Sequence, residues 1–157
     1  MILIALGSNV DGPWGSPRQS VEMALNMLNQ FPLRLVKSSS LLITEPFGVV
    51  NQPQFVNAVA LVETAMPAES LIRKLHMIER QAGRRRGKRW GPRTLDLDIL
   101  DYHGLIKHKR QLVQKALILP HPGIAERRFV LEPIQEIAPR WHHPKTHATA
   151  QSMIQKL

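Results

Sequence analysis

Asp96 and Asp98 stand two positions apart in the apolar run at 95–100. In an extended strand, residues i and i+2 share a face, so both carboxylates point one way while Leu95, Leu97 and Ile99 point the other way, into a core. Two like charges held this close repel unless a cation or solvent lies between them. Oxygen donors arranged in this way suit Mg²⁺, which takes one or two carboxylates and completes its shell with water and substrate phosphates. A D-x-D pair is weak by itself, because a half-exposed strand also turns a polar face to water. The preceding residues change that balance. Arg84, Arg85, Arg86, Lys88, Arg89 and Arg93 lie just upstream, and a guanidinium is a two-pronged donor for phosphate oxygens. Gly87 and Gly91 would let the basic stretch close over a charged substrate. Residues 89–98 therefore read as a phosphate- and metal-binding centre, suited to metal-assisted handling of a polyphosphate.

Other phosphate-binding signatures do not account for the charge. GRRRGK at 83–88 is one residue short of a P-loop and is followed by Arg89, where Ser or Thr is needed. No G-x-G-x-x-G occurs, so the dinucleotide fingerprint is absent. His121 sits between prolines and is suited to phosphate contact or proton transfer, although such a histidine is more often a structural hydrogen-bonder. His142, His143 and His147 fall in what reads as a C-terminal tail with no cysteine or acidic residue close by, which argues against a metal site there.

The elements around these residues follow from periodicity. Residues 2–6 form a buried strand ended by Gly7, Ser8 and Asn9. Ser16 and Pro17 suit the start of a helix whose apolar face is Val21, Ala24, Leu25 and Leu28, with Phe31 and Pro32 stopping it. Residues 33–43 have strand composition. The loop at 44–53 is long for a hairpin and rich in proline and glycine, as functional loops often are. Residues 55–62 form a strand. Pro67 opens a second helix that carries Leu71, Ile72, Leu75, Ile78 and Ala82 on one face and ends at Gly83. Residues 95–100 form the last strand, 101–116 a polar and basic surface excursion, and 129–137 and 149–157 two short helices. The order β-α-β-β-α-β predicts an α+β, ferredoxin-like split βαβ sandwich, mostly antiparallel, with helices packed on the sheet.

The 157 residues fit a single domain, 1–157, and 43% apolar content is enough for a real core. With no cysteine, disulfides, zinc thiolates and a cysteine nucleophile are excluded. No leader and no apolar run of the roughly 20 residues a span requires is visible, so a soluble, cytoplasmic protein is expected. A net charge of +9 calls for an anionic partner. The competing reading is a nucleic-acid-binding module with Trp90 stacked on a base. It explains the charge but leaves the paired aspartates facing a phosphate backbone.

Separate segments in order, ALGSN at 5–9, TEPFG at 44–48, QPQFVNA at 52–58, IE at 78–79, GRRR at 83–86, RWGPRTLDLDI at 89–99, LPHP at 119–122, ERRFVL at 126–131 and EIAP at 136–139, resemble the 6-hydroxymethyl-7,8-dihydropterin pyrophosphokinases of folate biosynthesis. The resemblance runs through most of the chain. It implies transfer of pyrophosphate from ATP to the pterin's hydroxymethyl group, with AMP released. It implies two Mg²⁺ ions on Asp96 and Asp98, and Arg84 and Arg93 acting with those aspartates in catalysis. It places Glu79, Arg86, Arg89, Trp90, Ile99, His121 and Arg127 at ATP. It places Gly7, Thr44, Glu45, Pro46, Phe47, Phe55, Asn57, Trp90 and Phe129 at the pterin. ATP and the pterin would be the partners, with no nucleic acid, no membrane and a monomeric protein. Two departures concern ATP. The chain is about five residues longer than the family's compact form between Asp98 and His121, within the basic stretch 107–115, and position 118 is isoleucine where some relatives carry a polar contact.

Overall fold

The computed structural model describes residues 1–45, 53–84, 93–108 and 117–157. Strand β1 (Ile2–Ser8) is the sheet's centre, paired antiparallel with β4 (Phe55–Thr64) on one side and β5 (Asp96–Tyr102) on the other. Its unbroken apolar sequence follows from that position, since both faces are covered: Ile2, Ile4 and Leu6 enter one core and Leu3 the other.

The expected strand over 33–43 is divided. β2 (Leu33–Ser38) pairs with Ala60–Thr64 and β3 (Leu42–Thr44) with Phe55–Asn57, both along the same edge of β4. The break has a local cause at Ser39 and Ser40. The Ser39 hydroxyl accepts the Val59 N–H at 2.9 Å, replacing a strand carbonyl. Ser40 gives its N–H and its hydroxyl to the Glu136 carboxylate at 3.0 and 2.6 Å, pinning the kink to a helix below. With β2 and β3 counted as halves of one edge strand, the antiparallel order β5-β1-β4-β2/β3 is the ferredoxin-like arrangement.

Helices α1 (Pro17–Met27) and α2 (Ala68–Gln81) cover one face through Val21, Ala24, Leu28, Leu71, Leu75 and Ile78. Ser16 and Gln19 form a reciprocal capping box at the start of α1. Pro67 occupies the N-cap of α2, one position earlier than expected, and Gly83 follows the helix at φ +85°, the left-handed turn that favours glycine. Helices α3 (Arg128–Ile137) and α4 (Ala150–Gln155) cover the opposite face. No helix among the described residues is long and apolar enough to cross a membrane.

Two expectations are corrected here. The excursion does not begin at 101, because β5 continues through Tyr102 and Asp101 is only 3% exposed. A bulge opposite Leu3 and Ile4 shifts the strand's alternation by one residue. Asp101 therefore falls opposite Leu3, toward α3 and α4, where its carboxylate accepts the Trp141 indole N–H at 2.7 Å. The C-terminal segment is likewise no tail. Trp141, Ala150 and Met153 complete the second core, and His143 turns inward to accept the Lys145 N–H on its Nδ1 at 3.2 Å. Burial pushes the His143 imidazole below its usual pKa, with Asp101 opposing that shift and Lys145 reinforcing it. Trp141→Phe keeps a smaller aromatic ring but leaves a buried carboxylate oxygen without its donor. The expected loss is about 1–3 kcal/mol, read as a lower urea midpoint with an unchanged m-value.

Candidate functional site

Strand register brings the candidate residues together. Gly7 of β1 lies opposite Asp96 on one neighbour and Asn57 on the other, and Ala5 lies opposite Asp98 and Val59. Side chains two apart share a face, so Asp96, Asp98, Asn57 and Phe55 rise around a floor in which the β1 positions on that face are Gly7 and Ala5. Those small residues leave room above the sheet for a cavity of about 410 Å³, roofed by His121, Pro122, Arg127, Phe129 and Val130. An added Cβ on Gly7 would stand 3.1 Å from Asn57 Oδ1 and 3.7 Å from the Phe55 ring, so glycine there is a requirement of space.

The β5 side of the cavity is charged. Arg84 Nη1 is 2.8 Å from Asp96 Oδ1 and 2.5 Å from Glu79 Oε2. Arg93 Nε lies 3.9 Å from Asp96 Oδ2. Glu79 is 4% exposed and also accepts the Leu97 N–H at 2.8 Å, so this α2 carboxylate holds β5 at the residue between the two aspartates. His121 Nδ1 accepts the Gly123 N–H at 3.0 Å, which fixes the neutral ring as the Nε2–H donor. Asp96 and Asp98 are half-buried and both line the cavity. Hard oxygen donors next to an arginine-lined space fit Mg²⁺ held jointly by protein and polyphosphate. Among the described residues no cluster of three or more His, Asp or Glu forms an all-protein metal cage.

The β4 side is mainly aromatic and amide-lined, with Glu45 at its rim. Phe55 and Phe129 both line the cavity, and the Arg127 guanidinium carbon lies 5.9 Å from the Phe129 ring centre. Asn57 Nδ2 donates to Thr44 Oγ1 at 2.6 Å, which orients the amide. Glu45 lines the rim and accepts from Gln54 Nε2 at 2.8 Å.

Of the expected site residues, Gly7, Thr44, Glu45, Phe55, Asn57, Arg84, Arg93, Asp96, Asp98, His121, Arg127 and Phe129 all border this one cavity. Glu79 stands behind it, and the Ile99 side chain is buried on the α1/α2 side of the sheet. Pro46, Phe47, Arg86, Arg89 and Trp90 lie outside the described residues, as do residues 109–115 of the basic stretch 107–115. Leu100 and Val130 also line the cavity; in the sequence they are only members of an expected strand and an expected helix, because an apolar residue in such an element carries no mark of which void it faces.

Residues 3–139 match the family described as 7,8-dihydro-6-hydroxymethylpterin-pyrophosphokinase. The chain is 40% identical over 139 residues to a 2-amino-4-hydroxy-6-hydroxymethyldihydropteridine pyrophosphokinase of Pseudomonas aeruginosa, covering 88% of this chain and 80% of that protein. It is 41% identical over 137 residues to the protein of the same name from Haemophilus influenzae, covering 86% and 79%. A folate synthesis bifunctional protein of Arabidopsis thaliana is 39% identical over 137 residues, which is 87% of this chain and 26% of that longer protein.

Proposed function

Because the chain belongs to the 7,8-dihydro-6-hydroxymethylpterin-pyrophosphokinase family, we propose that it transfers the pyrophosphoryl group of ATP to the hydroxymethyl oxygen of 6-hydroxymethyl-7,8-dihydropterin, yielding the pterin diphosphate and AMP. The observation that carries this reading is the row Asp96, Gly7, Asn57 across three strands, which sets a charged compartment beside an aromatic one within a single cavity. The hydroxymethyl oxygen attacks the β-phosphorus, the bond from that phosphorus to the α,β-bridging oxygen breaks, AMP leaves with the electron pair, and the hydroxyl proton passes to solvent.

The chain's own groups divide this work. Phe55 and Phe129 sandwich the flat ring, and the Asn57 amide, held by Thr44, gives it direction through one donor and one acceptor. The 44–47 segment and Trp90 complete the pterin side. Arg84 and Arg93 neutralise charge that develops on the phosphates. His121 and Arg127 hold ATP with Arg86, Arg89, Trp90 and the strand around Ile99, while Glu79 supports that side from behind β5. Asp96 and Asp98 would hold Mg²⁺, two ions in all, which when bound supplies Lewis-acid neutralisation of the phosphate oxygens. The excess of +9 then serves a polyphosphate rather than a nucleic acid, in a monomeric, cytoplasmic, single-domain protein.

A coupled assay tests the reading: AMP should form from ATP only when both the hydroxymethylpterin and Mg²⁺ are present. Absence of AMP under those conditions, or formation indifferent to the pterin, overturns it. Gly7→Ala pushes a methyl against Asn57 and Phe55. It should raise KM for the pterin about tenfold, equivalent to ~1.4 kcal/mol of binding, while KM for ATP stays near its original value.

A further inference from the structure

Asn9 lines no part of the cavity, yet it is 1% exposed and its polar groups are spent on the two chain segments that build the cavity's opposite sides. Its side-chain oxygen accepts the Arg93 N–H at 2.7 Å, and its own N–H returns to the Arg93 carbonyl at 3.0 Å. Its Nδ2 donates to the Pro53 carbonyl at 3.2 Å. Arg93 lies three residues before Asp96, and Pro53 lies two before Phe55 and four before Asn57. The residues after Asn9 press on the same region. An added Cβ on Gly12 would meet the Ala82 carbonyl at 2.9 Å and the Thr94 side chain at 3.1 Å, and one on Gly83 would strike Pro13. The β1–α1 connection is thus wedged between the end of α2 and the start of β5.

We propose that Asn9 is a positioning residue that couples the two substrate compartments, holding Pro53 and Arg93 at a fixed separation so that the pterin's oxygen and the β-phosphorus meet in line. Neither carbonyl nor amide at those positions has freedom to drift while one planar carboxamide serves both. A side chain of other shape, or with an oxygen in place of Nδ2, releases one compartment from the other. The coupling rests on the proposed reaction, since it is in-line transfer between two separately bound molecules that demands it.

Two substitutions separate the arms. Asn9→Asp keeps the acceptor for Arg93 and loses the donor to Pro53, whereas Asn9→Ala loses both. With each substrate varied in turn, Asn9→Asp should lower kcat about tenfold or more and raise KM for the pterin, while KM for ATP changes less than about threefold, the pattern of lost alignment rather than lost ATP binding. Wild-type kcat and KM values in a folded Asn9→Asp protein overturn the proposal. So does a fall in rate that merely tracks the unfolded fraction with both KM values unchanged. Hydrogen exchange without substrate gives a readout independent of turnover: Asn9→Ala should accelerate exchange in both 53–57 and 93–98, and a change confined to one segment overturns the tie. If the unsubstituted protein makes no pterin-dependent AMP, the proposed reaction falls, and the exchange result still decides for or against Asn9.

Discussion

Asp98→Ala is expected to lower pterin-dependent AMP production by roughly a thousandfold or more, since a metal–phosphate contact supplies several kcal/mol at the transition state and each ~1.4 kcal/mol is tenfold in rate. Asp96 is the less direct probe, because its carboxylate shares the Arg84 guanidinium with Glu79. The fold should survive. Asp98 is half-buried at a cavity wall, with Ala5 opposite it on β1, so a shorter side chain leaves space already continuous with the cavity. Removing one of two like charges about 7 Å apart along the strand also relieves repulsion, so a cooperative melting transition should remain when no ligand is present. The variant's apparent Mg²⁺ requirement should shift upward, and Asp98→Asn, which keeps an oxygen donor without the charge, should fall between alanine and aspartate. Near-normal turnover in Asp98→Ala would remove this residue from the metal site and with it the reading of the D-x-D pair. A lost fold, seen as a collapsed thermal transition, would instead give Asp98 a structural role.

The prominence of that pair in the sequence has a physical reason. Charged residues alternating with leucines conflict with a buried strand unless one face meets a ligand or water, so position and purpose are encoded together. The capping box at Ser16 and the apolar stripes of α1 and α2 are equally local, and they yielded helices close to the expected bounds. What escaped depended on partners distant in sequence. Ser39 and Ser40 break an edge strand only because Val59 and Glu136 lie across from them. Asp101 looked like the start of a surface excursion because its partner, Trp141, is 40 residues away and reaches it through a bulge. By periodicity Gly7 and Ala5 are a strand end and an ordinary apolar position; the family resemblance alone sets Gly7 at the pterin, and the smallness of both residues that makes the cavity floor shows only in the packing. Asn9 read as part of a turn, although its role lies in joining residues 44 and 84 positions onward.

Glu79→Ala should be the most destabilising single change at the site, because a strand hydrogen bond and an ion pair both end on one carboxylate oxygen. Glu79 accepts the Leu97 N–H, pairs with Arg84 and joins α2 to β5. Truncation leaves a buried strand N–H without its acceptor, at about 1–3 kcal/mol, and strips one partner from a largely buried ion pair, for which breaking costs run to about 3–5 kcal/mol. The two losses share the same cluster and do not add, so a combined loss of about 3–5 kcal/mol is the expected result, measured as a shift of the urea midpoint. Arg84 would then be left to Asp96, pulling that carboxylate away from metal and phosphate, so turnover should fall in the molecules that remain folded. Glu79→Gln distinguishes the two contributions. Its amide oxygen can still accept from Leu97, which keeps the strand hydrogen bond, but it no longer carries the charge that shares Arg84 with Asp96. The expected outcome is a fall in the urea midpoint smaller than that of Glu79→Ala, with a lower kcat and a raised KM for ATP. Equal destabilisation in Gln and Ala would show that the ion pair, not the strand hydrogen bond, dominates. Unchanged kinetics in Gln would show that Arg84 needs no counter-charge behind β5 to do its work.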